Sequence, residues 1–267
     1  MEDATRLLAL GEQALEKGSF KAAQSQLQRA LEQDAESVQA RLLLGEALAG
    51  QHLFAEAIAI LRQGVELLPG NSEFLFALGD LEFENHQPGE AAATYRSILD
   101  DDPTDSDAWV SLGLVSYHQG DVEDAIRCYR KALEHDPEAV FALNALGDAL
   151  FAQGDMDGAR DCFEKGIALD PEDPQADFNL AELHYDNGDL DAAETGCRNA
   201  IAKDPTFSNA YLTLGNIHLD LEQPSEALTA FLGFLQNETS PDAETIRSEV
   251  EAVVAGLRDE LKSGKPK

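Results

Sequence analysis

The side chains able to do chemistry in this chain are three cysteines, six histidines and a large excess of carboxylates. Cys128, Cys162 and Cys197 lie 34 and 35 residues apart, which matches no metal-thiolate spacing, and their odd number argues against a disulfide framework. They read as small, apolar-like side chains on helices in a reducing compartment. His52 and His86 are 34 residues apart, and so are His184 and His218. Equivalent points on adjacent packed helices are separated by roughly 10 Å, so two such histidines would have to converge to share one ion. They read as turn and core histidines, and no metal is expected. The chain has no phosphate-cradling glycine loop, no GxSxG, no HExxH and no dinucleotide fingerprint. Paired carboxylates are too abundant for their proximity to mean catalysis. The expectation is a non-enzyme without cofactor, so the chemistry to look for is recognition.

The charge narrows what can be recognised. Fifty-one acidic residues against 19 basic ones give a net charge of −32 over 267 residues. Such a surface repels phosphate, which disfavours nucleic acid and anionic lipid as partners. It also describes a surface adapted to high salt, and acids crowd loops as well as helices, as in DDDPTDSD at 100–107. The first residues, MEDATRLLALGEQ, have no basic region and no long apolar core, so no signal peptide is expected. No stretch is apolar for long enough to span a bilayer. A cytoplasmic protein is expected.

What positions these side chains is a repeat. Leu-Gly recurs at Leu10-Gly11, Leu44-Gly45, Leu78-Gly79, Leu112-Gly113, Leu146-Gly147 and Leu214-Gly215, always in steps of 34 or twice that. The missing member is Leu180-Ala181. An alanine follows at a fixed offset, from Ala23 through Ala57, Ala91, Ala125, Ala159 and Ala193 to Ala227, and Pro69, Pro103, Pro137, Pro171 and Pro205 close most units. Each unit reads as helix, tight turn, helix. Trp109, Leu112 and Ser116 share one face of the first helix. Gly120 stops it, and Asp121, Asp155, Asp189 and Ser19 are positioned to cap the second. Pro88 and Pro224 replace that cap with proline at the first helical position. Gly113 and Ala125 let the paired backbones approach closely. After Ser240-Pro241, an apolar stripe of Ile246, Val250, Val253, Leu257 and Leu261 predicts one more helix lying on the last repeat.

A 34-residue period carrying Trp109, Leu112, Gly113, Tyr117, Gly120, Ala125, Tyr129, Ala132 and Pro137 resembles the tetratricopeptide repeat (TPR) family. The resemblance implies an all-α fold, a right-handed α-solenoid or superhelix of seven helix-turn-helix units plus a C-terminal capping helix. The units are expected at 4–37, 38–71, 72–105, 106–139, 140–173, 174–207 and 208–241, the capping helix at 242–261 and a disordered tail at 262–267. It also implies that first helices line a concave surface. On that carry-over, one inner register reads Glu12, Glu46, Asp80, Leu114, Asp148, Glu182 and Asn216. Neighbouring registers add Phe76 and Phe178; Phe83, Tyr117, Phe151 and Tyr185; and Glu84, His118 and Asp186. The partner-binding residues expected are therefore Glu46, Phe76, Asp80, Phe83, Glu84, Tyr117, His118, Asp148, Phe151, Phe178, Glu182, Tyr185 and Asp186.

Arg29, Arg62, Arg96, Arg130, Lys131, Lys165 and Arg198 fall late in second helices, where helix dipoles also favour them. The groove so inferred suits a protein segment, a peptide or helix, with basic and apolar side chains. The Lys, Arg and Asn clamp of some TPR co-chaperones is replaced by Leu8, Glu12, Ala77, Asp107 and Ser111, and the asparagine ladder of some glycosyltransferases is missing too. The alternative is a self-assembling, homo-oligomeric array that binds through its ends or outer face, its acidity reflecting high salt.

Overall fold

The computed structural model describes residues 3–263. Among them are fifteen α-helices, one 3-10 turn and no strand. The chain forms two compact units, one ending at Pro137 and one beginning at Glu138. The first holds α1 (Ala4–Glu16), α2 (Phe20–Gln33), α3 (Val38–Ala49), α4 (Phe54–Leu67), α5 (Ser72–Glu84), α6 (Pro88–Asp101), α7 (Ser106–His118) and α8 (Val122–His135). The second holds α9 (Val140–Gln153), α10 (Met156–Leu169), α11 (Pro174–Asp186), α12 (Leu190–Lys203), α13 (Ser208–Asp220) and α14 (Pro224–Asn237), then a 3-10 turn (Pro241–Ala243) and α15 (Glu244–Ser263). Within each unit every helix packs on the next in sequence. First helices also touch their counterparts, α1 on α3 and α3 on α5 in one unit, α9 on α11 and α11 on α13 in the other. The chain is an all-α solenoid, and no described helix is long and apolar enough to cross a membrane.

The close approach within each pair has a specific cause. A methyl group built on Gly113 would sit 2.6 Å from the Tyr129 ring, and one on Gly147 would sit 2.3 Å from that of Phe163. The aromatic of the second helix thus occupies the volume that a side chain on the first would need. Where Ala181 replaces glycine, the register of Tyr129 and Phe163 carries Cys197 instead, and both Ala181 and Cys197 are fully buried. The contact has changed both partners: a methyl on the first helix now faces a small thiol in place of a ring.

The turn after each first helix needs a left-handed residue. Glycine supplies it at Gly18, Gly120, Gly154 and Gly188, but His52, His86 and Glu222 adopt the same conformation with φ of 56–59°. Asp121, Asp155 and Asp189 then accept from backbone N–H groups of the second helix. Ser19 does not, contrary to expectation, and its helix starts without a side-chain cap.

One buried carboxylate ties three helices together. Glu82 of α5 accepts from Arg62 of α4 at 2.8 Å and from Thr94 of α6 at 2.7 Å. All three cysteines are buried, and none is in a disulfide. Burial raises the Cys128 thiol to about 11 and the Cys197 thiol to about 12, which keeps both protonated and inert.

The C-terminal helix lies on α14, but not by the stripe expected. Val250, Val254 and Leu257 are buried with Ala227, Phe231 and Phe234, while Ile246, Val253 and Leu261 face outward. Lys262 and Ser263, placed by expectation in a disordered tail, continue the helix. The rest of that tail lies outside the described residues.

Candidate functional site

In the unit ending at Pro137, the expected residues gather where α5 and α7 end. The Phe83 ring lies 5.0 Å from the His118 imidazole, edge to face. Phe83, Glu84, His86, Pro88, His118 and Gln119 line an open cavity of about 540 Å³. The floor is the half-buried Phe83 and the Pro88 ring, and Glu84, His86 and His118 are exposed around it. One turn earlier on α5, the Asp80 carboxylate accepts from the Tyr95 hydroxyl at 2.6 Å. Burial, and then that bond and the charge of Asp80, push the Tyr95 hydroxyl well above its ordinary range. Phe76 is half-buried against the Tyr95 ring, 6.4 Å away. Glu46 is exposed on α3 and Tyr117 is half-buried on α7, and neither lines the cavity.

In the unit beginning at Glu138, the acids form latches between successive first helices. Asn179 of α11 donates to Asp148 of α9 at 2.9 Å, and Thr213 of α13 donates to Glu182 of α11 at 3.1 Å. The Tyr185 hydroxyl donates to Asp220 at 2.6 Å. Asp148 is exposed to solvent, yet is crowded by protein atoms. That desolvation, with the charge of Glu182 added, raises its carboxyl to about 6. Burial also raises Glu182, Thr213 opposing it and Asp186 adding to it. Tyr185 is pushed to about 12 by burial and then by Asp220. Phe151 is half-buried and Asp186 exposed. Phe178 differs from the expectation of an open anchor. It is buried, with its ring 5.2 Å from that of Phe207, and it serves the core.

The expected acid wall is therefore largely engaged. Glu12 accepts from Gln39 of the next repeat, as Asp80, Asp148 and Glu182 accept from Tyr95, Asn179 and Thr213. These carboxylates position helices while keeping their negative charge on the first-helix layer.

The basic side chains are confined elsewhere. From α5 to α13, no first helix carries a lysine or arginine, whereas Glu84, Asp107, Asp148, Glu182, Asp186 and Asp220 all lie on them. Arg127, Lys131, Arg160 and Arg198 pair with acids of their own second helices. Sequence reasoning missed His86, Pro88 and Gln119 as cavity walls. One signal was present, a histidine in a register that four of seven units fill with glycine.

The family model of the tetratricopeptide repeat matches residues 8–72, 76–140, 119–174 and 144–206. No curated protein matches the chain in sequence. Among solved structures, MamA is 25% identical, with a TM-score of 0.53 over 60% of this chain and 94% of its own. A tetratricopeptide repeat protein from Parabacteroides merdae is 18% identical, with a TM-score of 0.72 over 96% of this chain and 98% of its own. Pseudomonas aeruginosa pilF is 20% identical, with a TM-score of 0.63 over 80% of this chain and 96% of its own.

Proposed function

The chain belongs to the tetratricopeptide repeat family, and from that premise we propose that it is a non-catalytic scaffold holding a basic and apolar peptide or helix against its first-helix faces. Proteins of this fold mediate protein–protein interaction. The observation that carries the finer reading is the segregation of charge. First helices from α5 to α13 present acids and no lysine or arginine, beside half-buried Phe83, Tyr117, Phe151 and Tyr185. Aromatic anchors of this kind supply binding energy, and surrounding charge sets orientation and on-rate. Buried cysteines outside any disulfide fit a reducing compartment, and the proposal places the scaffold in the cytoplasm.

The test is selection from a displayed random-peptide library on the immobilised protein. Recovered peptides should combine lysine or arginine with large apolar residues. They should be lost from a Phe83→Ala, Tyr117→Ala, Phe151→Ala, Tyr185→Ala variant that retains its helical circular dichroism. Recovery of acidic peptides, or equal binding by the variant, defeats the reading. The outward Ile246, Val253 and Leu261 of α15 favour one second reading, self-association through that end. Sedimentation would show it as a concentration-dependent mass that Val253→Glu abolishes.

A further inference from the structure

We propose that the cavity between the ends of α5 and α7 is an anchor subsite for one arginine side chain of the bound segment; this rests on the groove reading and names what that groove selects.

Four observations converge on a guanidinium. The first is size: an open cavity of about 540 Å³, lined by Phe83 and Pro88 among others, has room for a long side chain from a passing peptide. The second is the pair of flat groups, the Phe83 ring and the His118 imidazole, set at 70° to each other. A planar cation can stack on the open face of one of these rings, whereas a compact ammonium makes less contact with it. The third is charge. Glu84 is the carboxylate in the wall, able to receive a guanidinium through two parallel bonds. The C-terminal ends of α5 and α7, at Glu84 and His118, add the negative ends of two helix dipoles. The opposing helix α6 opens with Pro88, which lines the cavity and has no N–H to offer; the positive end of this one helix is set against the two negative ends and the carboxylate.

The fourth is strain. His86 holds φ at 58° in a turn where Gly18, Gly120, Gly154 and Gly188 adopt the same conformation without penalty. His52 and Glu222 share the conformation, so strain alone singles out no site; the His52 ring packs beside Phe54 of its own repeat, 6.0 Å away, and Glu222 is exposed. At His86 the side chain forms a cavity wall instead. A backbone cost kept where a side chain lines a cavity points to use of that side chain.

An anionic occupant is disfavoured by Glu84 and the C-terminal ends of α5 and α7, which outweigh the single N-terminus of α6. A leucine would fill the floor and leave Glu84 without a partner. The experiment is a titration of the isotopically labelled full chain, followed by nuclear magnetic resonance. The probes are the Nα-acetyl methylamides of arginine, lysine, leucine and citrulline, the last a neutral isostere of arginine. Arginine should give saturable shifts at His86, His118 and Gln119, with citrulline at least about five-fold weaker and lysine between them. Glu84→Gln, at an exposed position, should keep the melting temperature and weaken arginine by a similar factor.

Equal binding of arginine and citrulline, an unaffected Glu84→Gln variant, tighter binding of leucine, or the absence of saturable shifts at these residues would overturn the subsite. The displayed-peptide selection separates the two readings when its control is Tyr117→Ala, Phe151→Ala, Tyr185→Ala, which leaves the Phe83 floor of this cavity in place. If it still yields basic and apolar peptides that need those three aromatics, the groove reading stands and the arginine anchor alone falls.

Discussion

At the scale of single residues, the most informative pair is Ala181 and Cys197. Their register elsewhere pairs glycine with a larger side chain, a leucine in the first two repeats and an aromatic in the others, as in Gly113 with Tyr129 and Gly147 with Phe163. Cys197→Phe alone should overpack the α11–α12 contact and cost about 1–3 kcal/mol. Adding Ala181→Gly should recover part of that loss, and urea melts of the single and double variants measure the coupling directly. The recovery should be incomplete, because Gly196 also packs on the Ala181 side chain.

Asp148 makes a second prediction, with a definite sign. Its carboxyl is raised to about 6 by desolvation and then by Glu182, so the folded chain disfavours its charged form. The stability this group contributes is fully present below the ordinary carboxylate range, about 4, and is lost as pH rises through about 6. Asp148→Asn should therefore melt higher than the parent at pH 7.5 and level with it at pH 4. Solvent screening at this partly exposed group holds the difference below about 1 kcal/mol, a few degrees at most. A carbon-detected titration of Asp148 should move toward the ordinary range in Glu182→Gln, though only in part, because desolvation is the larger cause.

At the scale of elements, α15 carries the sharpest test. Leu257 is buried with Phe231 and Phe234 at the end of the second unit. Leu257→Ala should cost about 2–5 kcal/mol of local stability and speed hydrogen exchange in α14 and α15 first. Val253→Ala, on the outward face, should cost little. Uniform loss of protection across α9 to α13 would contradict the quasi-one-dimensional behaviour expected of stacked repeats.

This helix also marks the limit of what sequence pattern conveys. Valines stand at both 253 and 254, and Ile246, Val250, Val253, Val254, Leu257 and Leu261 satisfy two helical stripes. Only the shape of α14, with Phe231 and Phe234 presented to it, selects Val254. The helix pairs were legible because a strict 34-residue period overdetermines each turn and close contact. The cavity was half legible. Phe83, Glu84 and His118 follow from the first-helix register, whereas Pro88 and Gln119 enter only when the start of α6 meets the end of α7. The acid register was visible as charge. Its bonds to Tyr95, Asn179 and Thr213 were not, because each depends on side chains from another helix.

At the scale of the whole molecule, the question is what a net charge of −32 is for. Acids scattered through loops suggest adaptation to salt, but many of these loop acids have a local structural task. Asp34, Asp102, Asp170 and Asp204 each accept from the backbone N–H two residues on, in recurring turns. Asp105, Asp121, Asp155, Asp173 and Asp189 cap helices. Such acids are accounted for without any appeal to the medium. What remains is self-repulsion among the exposed acids: the first helices from α5 to α13 carry no lysine or arginine of their own, and Arg62 of α4 and Lys203 of α12 reach across to pair with buried acids on them, Glu82 and Asp177. Repulsion between exposed charges is screened over about 10 Å at 0.1 M salt and about 3 Å at 1 M. The chain should therefore be folded at about 0.05 M KCl, gain melting temperature as KCl rises, and level off near 1 M. Binding of a selected basic peptide should weaken over the same range, because its steering charge is screened along with the repulsion. A chain that is unfolded at low salt and still gaining stability at multimolar KCl would instead make the acid a property of its environment. In that case peptide affinity should persist in high salt, carried by the aromatic side chains alone.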